Sequence, residues 1–164
     1  MWRGAAPASD GSGVALEPWV DLTAAGITYG PGFNLNGLAY VPSAGVLVIA
    51  QTNTGQLWRV DATSGGVTEV ALAGAFERGG DGMRYETSSG RLYVVDGGGV
   101  SVLDLAGDAR SATVVDRVVA PAFEGPTGVE LAAGDELLVV NAQFGARPDS
   151  ISPRLPFDVV RVVL

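Results

Sequence analysis

The 164-residue sequence contains no cysteine, no histidine and no lysine. The first two absences exclude thiolate and imidazole zinc sites, disulfide frameworks, Ser-His-Asp or Cys-His nucleophile systems and histidine proton shuttles. Any chemistry run by this chain uses carboxylates, amides, hydroxyls, tyrosine, arginine or a hard metal ion. Charge is scarce, at 17% of residues, and one-sided: ten arginines face eighteen carboxylates, for a net charge of −8. That field repels phosphate backbones and anionic lipid surfaces, so neither nucleic acid nor membrane is an expected partner. Long apolar runs are missing too; stretches such as Val46-Leu47-Val48-Ile49-Ala50 fall far short of the ~18 residues of a membrane span. The segment Met1-Trp2-Arg3-Gly4-Ala5-Ala6-Pro7 lacks the charged region and apolar core of a secretory signal.

What is present is 47% hydrophobic residues punctuated by 24 glycines and 9 prolines. This composition suits one domain with a substantial core. Sliding the sequence against itself exposes a repeat. Asn36-Gly37-Leu38-Ala39-Tyr40-Val41 corresponds to Asp81-Gly82-Met83-Arg84-Tyr85-Glu86 and to Thr127-Gly128-Val129-Glu130-Leu131-Ala132, with offsets of 45 and 46 residues. The next apolar runs stay in register, beginning at Leu47, Leu92 and Leu137. Third runs follow at Gly55 to Asp61, Gly99 to Asp104 and Phe157 to Val162, and fourth runs at Val67 to Leu72 and Ala112 to Arg117. Each run is four to eight residues long, rich in Val, Leu, Tyr and Thr and bounded by Gly, Asp, Asn or Pro. This is strand punctuation, and no amphipathic helix is evident.

Four strands per repeat of this length predict an all-β fold, a β-propeller of about three four-stranded blades, half of a six-bladed ring. A β-sandwich is the competing architecture. Residues 1–22 read as the last two strands of a preceding blade, with Trp2-Arg3 in one and Leu16 to Leu22 as the other. Residues 23–74 form a blade carrying Asn36, residues 75–120 a blade carrying Asp81, and residues 121–164 an incomplete final blade. The Pro/Ser-rich insert from Ala146 to Pro156 is long for a blade hairpin and reads either as a lid or as disorder.

Several stretches together resemble the C-terminal half of a bacterial branch of the regucalcin/gluconolactonase-like family, which includes senescence-marker-protein-like and luciferin-regenerating-enzyme-like six-bladed propellers. They are Gly32-Phe33-Asn34-Leu35-Asn36-Gly37-Leu38, Gln51 through Asp61, Gly79-Gly80-Asp81-Gly82-Met83, Pro126-Thr127-Gly128-Val129 and Leu138 through Gly145. The resemblance implies a funnel-shaped channel holding one divalent metal, usually calcium, ligated by a Glu from an early blade and by Asn and Asp from later ones. It further implies hydrolysis of sugar lactones or related esters at that metal, and export of the full-length relatives. Carried over residue by residue, Asn36 matches the ligand Asn of the Asn-Gly motif and Asp81 the ligand Asp of the Asp-Gly motif, with Asp81 also the catalytic residue. The early Glu has no counterpart among these residues.

The repeat by itself places Asn36, Asp81 and Thr127 at the same mouth of the channel, where a carboxylate, an amide carbonyl and a hydroxyl suit a hard ion. The competing reading is that Asn-Gly and Asp-Gly are turn dipeptides with a left-handed residue before a strand, and that Thr127 bonds the local backbone. Arg84 is expected either to orient an anionic substrate or to form a structural ion pair, and Trp58-Arg59 to be a buried ring beside an exposed cation. Gln51, Asp96 and Asn141 end three second strands; they form a polar ring that contacts substrate, at Asn141 above all, or they satisfy loop backbone groups. Gly97-Gly98-Gly99 precedes a strand and reads as a hairpin turn, not a phosphate loop. The expected functions are a calcium-dependent sugar-lactone hydrolase that is incomplete in this chain, a non-catalytic propeller binding module, or an inactive fragment. Partners in keeping with these are a small lactone or ester, a second copy of the chain, or an N-terminal propeller half.

Overall fold

The computed structural model describes residues 1–4, 13–74, 76–77, 79–133, 135–143 and 157–164. Among them there is no helix, and therefore none long and apolar enough to cross a membrane. The insert from Ala146 to Pro156 lies outside the described residues.

Among the described residues fourteen strands form four sheets. A hairpin of β1 (Trp2–Gly4) and β2 (Leu16–Pro18) precedes the first sheet, ordered β3 (Leu35–Val41), β4 (Val46–Gln51), β5 (Gln56–Asp61) and β6 (Val67–Glu69). The middle sheet contains β7 (Ala71–Ala73), β8 (Met83–Glu86), β9 (Arg91–Asp96), β10 (Gly99–Leu105) and β11 (Ser111–Val118), in the order β7-β11-β10-β9-β8. The last sheet runs β12 (Pro126–Ala132), β13 (Glu136–Asn141), β14 (Val159–Val163). The first three apolar runs of each repeat thus fall on strands. Between β9 and β10 the turn residues Gly97 and Gly98 have φ of 42° and 89°. Two successive positive φ values make a type I′ hairpin, which explains the glycines without any phosphate.

The sheets pack face to face through two apolar layers. One joins the first sheet to the middle sheet through Val46, Val48, Ala50 and Leu57 against Leu92, Val94 and Leu103. The other joins the middle sheet to the last through Tyr93, Val95, Val100 and Val102 against Leu137 and Val139. Successive residues of β9 therefore serve opposite layers, which is why its central residues Leu92 to Val95 are all apolar. The innermost strand β8 touches both β3 and β12, so the segments that open the three repeats stand side by side.

Two expectations need correction. The run Val67 to Leu72 is not a single fourth strand: β6 ends at Glu69, Val70 is 1% exposed at the crossing, and β7 joins the neighbouring sheet, parallel to β11. The Val70 N–H still bonds Leu57 of the first sheet while the Ala71 N–H bonds Arg110 of the middle sheet, so the chain changes sheets between adjacent residues. Nor is Arg59 an exposed cation. Its side chain is 13% exposed and its Nε donates to the Asp108 carbonyl 3.0 Å away, tying β5 of one sheet to a turn of the next.

Candidate functional site

Each innermost strand opens with an irregularity at the same repeat position. In the first sheet Leu35 pairs with Gln51 and Leu38 with Ile49, which leaves one extra residue across Asn36-Gly37. In the middle sheet the Asp81 N–H bonds the Val95 carbonyl and the Val95 N–H bonds the Gly82 carbonyl, so Asp81 and Gly82 share one partner. In the last sheet Pro126 pairs with Asn141 and Gly128 with Val140, which leaves Thr127 extra. These are β-bulges, which break the alternation of the pleat and re-aim a side chain.

None of Gly37, Gly82 and Gly128 has a positive φ, and at Gly37 and Gly82 the requirement for glycine is one of space. A Cβ on Gly37 would collide with the Asp81 carbonyl oxygen, and one on Gly82 would meet the Thr127 carbonyl at 2.5 Å. Through the gap left by the missing side chain, the Gly82 N–H reaches that carbonyl at 2.8 Å. The left-handed-turn account of the Asn-Gly and Asp-Gly dipeptides therefore gives way to one of close approach between neighbouring sheets.

This arrangement brings Asn36 and Asp81 together. Across the boundary between the first and middle sheets the Asn36 side-chain amide lies near enough to the Asp81 carboxylate to favour its ionised form. Asn36 is exposed and Asp81 half-buried. Burial pushes the Asp81 carboxyl above the ordinary carboxylate range, while hydrogen bonds from the Gly82 N–H and the Asn36 amide pull partway back. A crevice of about 320 Å³ runs between the same two strands, lined by Leu38, Tyr40, Pro42, Met83, Arg84 and Tyr85.

The remaining candidates are placed as follows. Arg84 lines that crevice while its Nε holds Glu130 of β12 at 2.8 Å, with about half of each side chain exposed. Thr127 is half-buried and supplies the carbonyl that receives Gly82. Asn141 is 1% exposed and engaged at both ends of its amide: it accepts the Glu124 N–H at 3.0 Å and donates to the Ala122 carbonyl and to Asp158 Oδ1, each at 2.8 Å. Gln51 donates to the Thr28 carbonyl and accepts from the Trp58 indole, both at 2.9 Å. Asp96 accepts from Ser101 Oγ at 2.7 Å, from Arg117 and from the Glu77 N–H. These three equivalent residues anchor loops, as the backbone-satisfaction reading expects.

Sequence reasoning missed Thr52, which directly follows β4. Its N–H donates to the Asn34 carbonyl at 2.7 Å, its carbonyl accepts the Gly79 N–H at 3.1 Å, and its Oγ1 donates to the Gly80 carbonyl at 2.7 Å. Only its position at the end of a second strand, immediately after Gln51, signals such a part.

As oxygen donors the Asn36 amide and the Asp81 carboxylate fit a hard divalent ion, and supply two of the six to eight oxygens that calcium takes. No group of three Asp, Glu, His or Cys side chains placed to hold a metal occurs among the described residues.

No protein-family model and no curated protein matches the sequence. Solved structures do match. The chain superposes on a gluconolactonase from Xanthomonas campestris with a TM-score of 0.55 at 20% identity, over 80% of this chain and 39% of that one. On a calcium-binding regucalcin from Agrobacterium tumefaciens the TM-score is 0.54 at 21% identity, over 72% and 41%. On the major Malassezia sympodialis allergen Mala s 1 it is 0.61 at 16% identity, over 84% and 43%. The chain thus spans less than half the length of each. At these identities the likeness is one of fold, and it bears out the resemblance read from the repeat motifs: the chain has the fold of the regucalcin- and gluconolactonase-like proteins over part of their length.

Proposed function

We propose that this chain is the Asn36- and Asp81-bearing part of a calcium-dependent sugar-lactone hydrolase built as a six-bladed β-propeller. In this reading the first and middle sheets are two full blades and the last sheet is a third that lacks its outer strand. The observation that carries the reading is the bulge repeated at Asn36, Asp81 and Thr127, which sets an amide against a half-buried carboxylate at one sheet boundary. The remaining oxygens and blades come from a second copy of the chain or from an N-terminal propeller half. Asn36 and Asp81 would hold the ion, which when bound would supply Lewis acidity toward a lactone carbonyl and a water. The chain's own residues bind and orient. Asp81 serves as ligand and as acceptor for the proton of the attacking water, and the Asn36 amide fixes the carboxylate's orientation. Arg84, at the crevice between β3 and β8, meets an anionic group of the substrate, and Thr127 lies beside Asp81 through the Gly82 contact, whereas Asn141 supports the loop of the last sheet.

The test is hydrolysis of a sugar lactone by the purified chain with added calcium, followed by proton release. Calcium-dependent turnover that falls at least about 100-fold in Asp81→Ala supports the reading. Calcium binding at Asp81 with no turnover, for any lactone and with the assembly complete, sinks the hydrolase and leaves a binding module. One observation favours that second reading: among the described residues no acidic cluster accompanies Asp81.

A further inference from the structure

The segments that deliver Asn36 and Asp81 belong to different sheets, so something must fix the distance between them. We propose that Thr52 does so, as a positioning residue for the Asn36–Asp81 pair; the proposal rests on the site reading above. Thr52 lies in the turn after β4, closed by the Gly55 N–H on the Gln51 carbonyl at 2.9 Å. Toward its own sheet it gives its N–H to Asn34, two residues before Asn36. Toward the middle sheet it holds Gly79 through its carbonyl and Gly80 through its hydroxyl, the two residues immediately before Asp81.

Thr52 therefore grips both segments, and each grip uses a different polar group. Slack is small on the side of Asp81. A Cβ on Gly80 would stand 2.9 Å from the Ala50 Cβ, so the segment lies flush against β4. Beyond Gly80 the Asp81 N–H is held by Val95 and the Gly82 N–H by Thr127, which leaves the Thr52 hydroxyl as the side-chain member of an otherwise main-chain clamp. Removing that hydroxyl frees the Gly80 carbonyl to seek another donor and lets the Asp81 carboxylate drift relative to the Asn36 amide.

The experiment compares Thr52→Val, which keeps the shape but not the hydroxyl, with Thr52→Ser, which keeps the hydroxyl. Thr52→Ala serves in place of Thr52→Val if the latter does not fold. Two readouts are taken. In metal-free protein, the Asn36 side-chain amide protons in a ¹H–¹⁵N spectrum report contact with Asp81. Their resonances are expected to move toward those of an unbonded amide in Thr52→Val and to stay in place in Thr52→Ser. In calcium titrations, Thr52→Val is expected to bind about 10- to 100-fold more weakly, as supporting hydrogen bonds to metal ligands typically do when lost, with affinity restored in Thr52→Ser.

An unmoved Asn36 amide in Thr52→Val overturns the proposal whatever calcium does. Calcium affinity equal in wild type and Thr52→Val also overturns it. If the amide moves in Thr52→Val but wild-type protein takes up no calcium, the positioning role stands and the metal reading of the site falls.

Discussion

At the scale of single residues, the glycines and the buried charges are under the tightest constraint. Gly82→Ala places a methyl 2.5 Å from a main-chain oxygen of the next sheet, and the clash is with backbone, which cannot rotate away. We expect a loss of about 1–3 kcal/mol in urea unfolding. Gly128→Ala meets only Val140 side-chain atoms, the nearer at 3.6 Å, and should change stability by no more than about 0.5 kcal/mol. Equal effects at the two positions would refute the close-approach account of the dipeptides.

The charged groups predict a stability profile with pH. Burial raises the carboxyls of Asp81 and Asp96, and each therefore contributes stability that is complete below its unfolded pKa and lost as pH rises through its folded one. Hydrogen bonds lower Asp61, through Ser64 and Thr63, and Glu86, through Ser89; their contribution is present above the unfolded pKa and lost as pH falls through the folded one. The first pair should thus add stability as pH falls toward the ordinary carboxylate range, and the second pair should lose its contribution as pH falls below it. Arg117→Met sharpens the test. The Asp96 side chain is fully buried, and without its cation the variant should lose about 3–5 kcal/mol at neutral pH and regain more on acidification than wild type does. A variant whose deficit is the same at pH 5 and pH 7 would contradict the assignment.

At the scale of elements, the crossing from β6 to β7 is the feature that makes neighbouring sheets cooperative at their outer edge. Ala71→Pro deletes the N–H that bonds Arg110 at 2.9 Å, and urea unfolding should show a cost of about 1–3 kcal/mol; an unchanged midpoint would mean that β7 contributes nothing to the middle sheet. This element also marks where the sequence was legible and where it was not. Strand positions could be read because period-two runs end at Gly, Asp or Pro, and the repeat fixed which runs are equivalent. The switch at Val70 could not be read, because Val67 to Leu72 is one strand-length run with no Gly, Pro or Asp inside it and only the partner's position divides it. The same holds at the site. Asn36 and Asp81 stood out through a repeated dipeptide, but the bulge behind that dipeptide is a property of pairing. Thr52 acts through a hydroxyl on a backbone 28 residues further along the chain, for which local sequence has no signature.

At the scale of the whole molecule, among the described residues the last sheet has three strands where the first has four and the middle five. Its outer face carries Val140, Val159 and Val163, which are 44%, 57% and 73% exposed, around an Arg161–Glu136 ion pair at 2.8 Å. An apolar face beside an unfilled edge at β14 favours pairing with another chain. Sedimentation velocity should show association that grows with concentration and with salt, because screening relieves repulsion between copies of net charge −8. Val159→Lys with Val163→Lys should suppress it, and a wild-type chain that stays monomeric at every concentration would contradict the reading of that face.

Association and metal uptake meet in one measurement, a native mass spectrum of the chain recorded with and without calcium. The account predicts an assembly of two copies that takes up calcium, with the metal lost and the assembly kept in Asp81→Ala. A monomer that binds no calcium, or calcium uptake undiminished in Asp81→Ala, would contradict it.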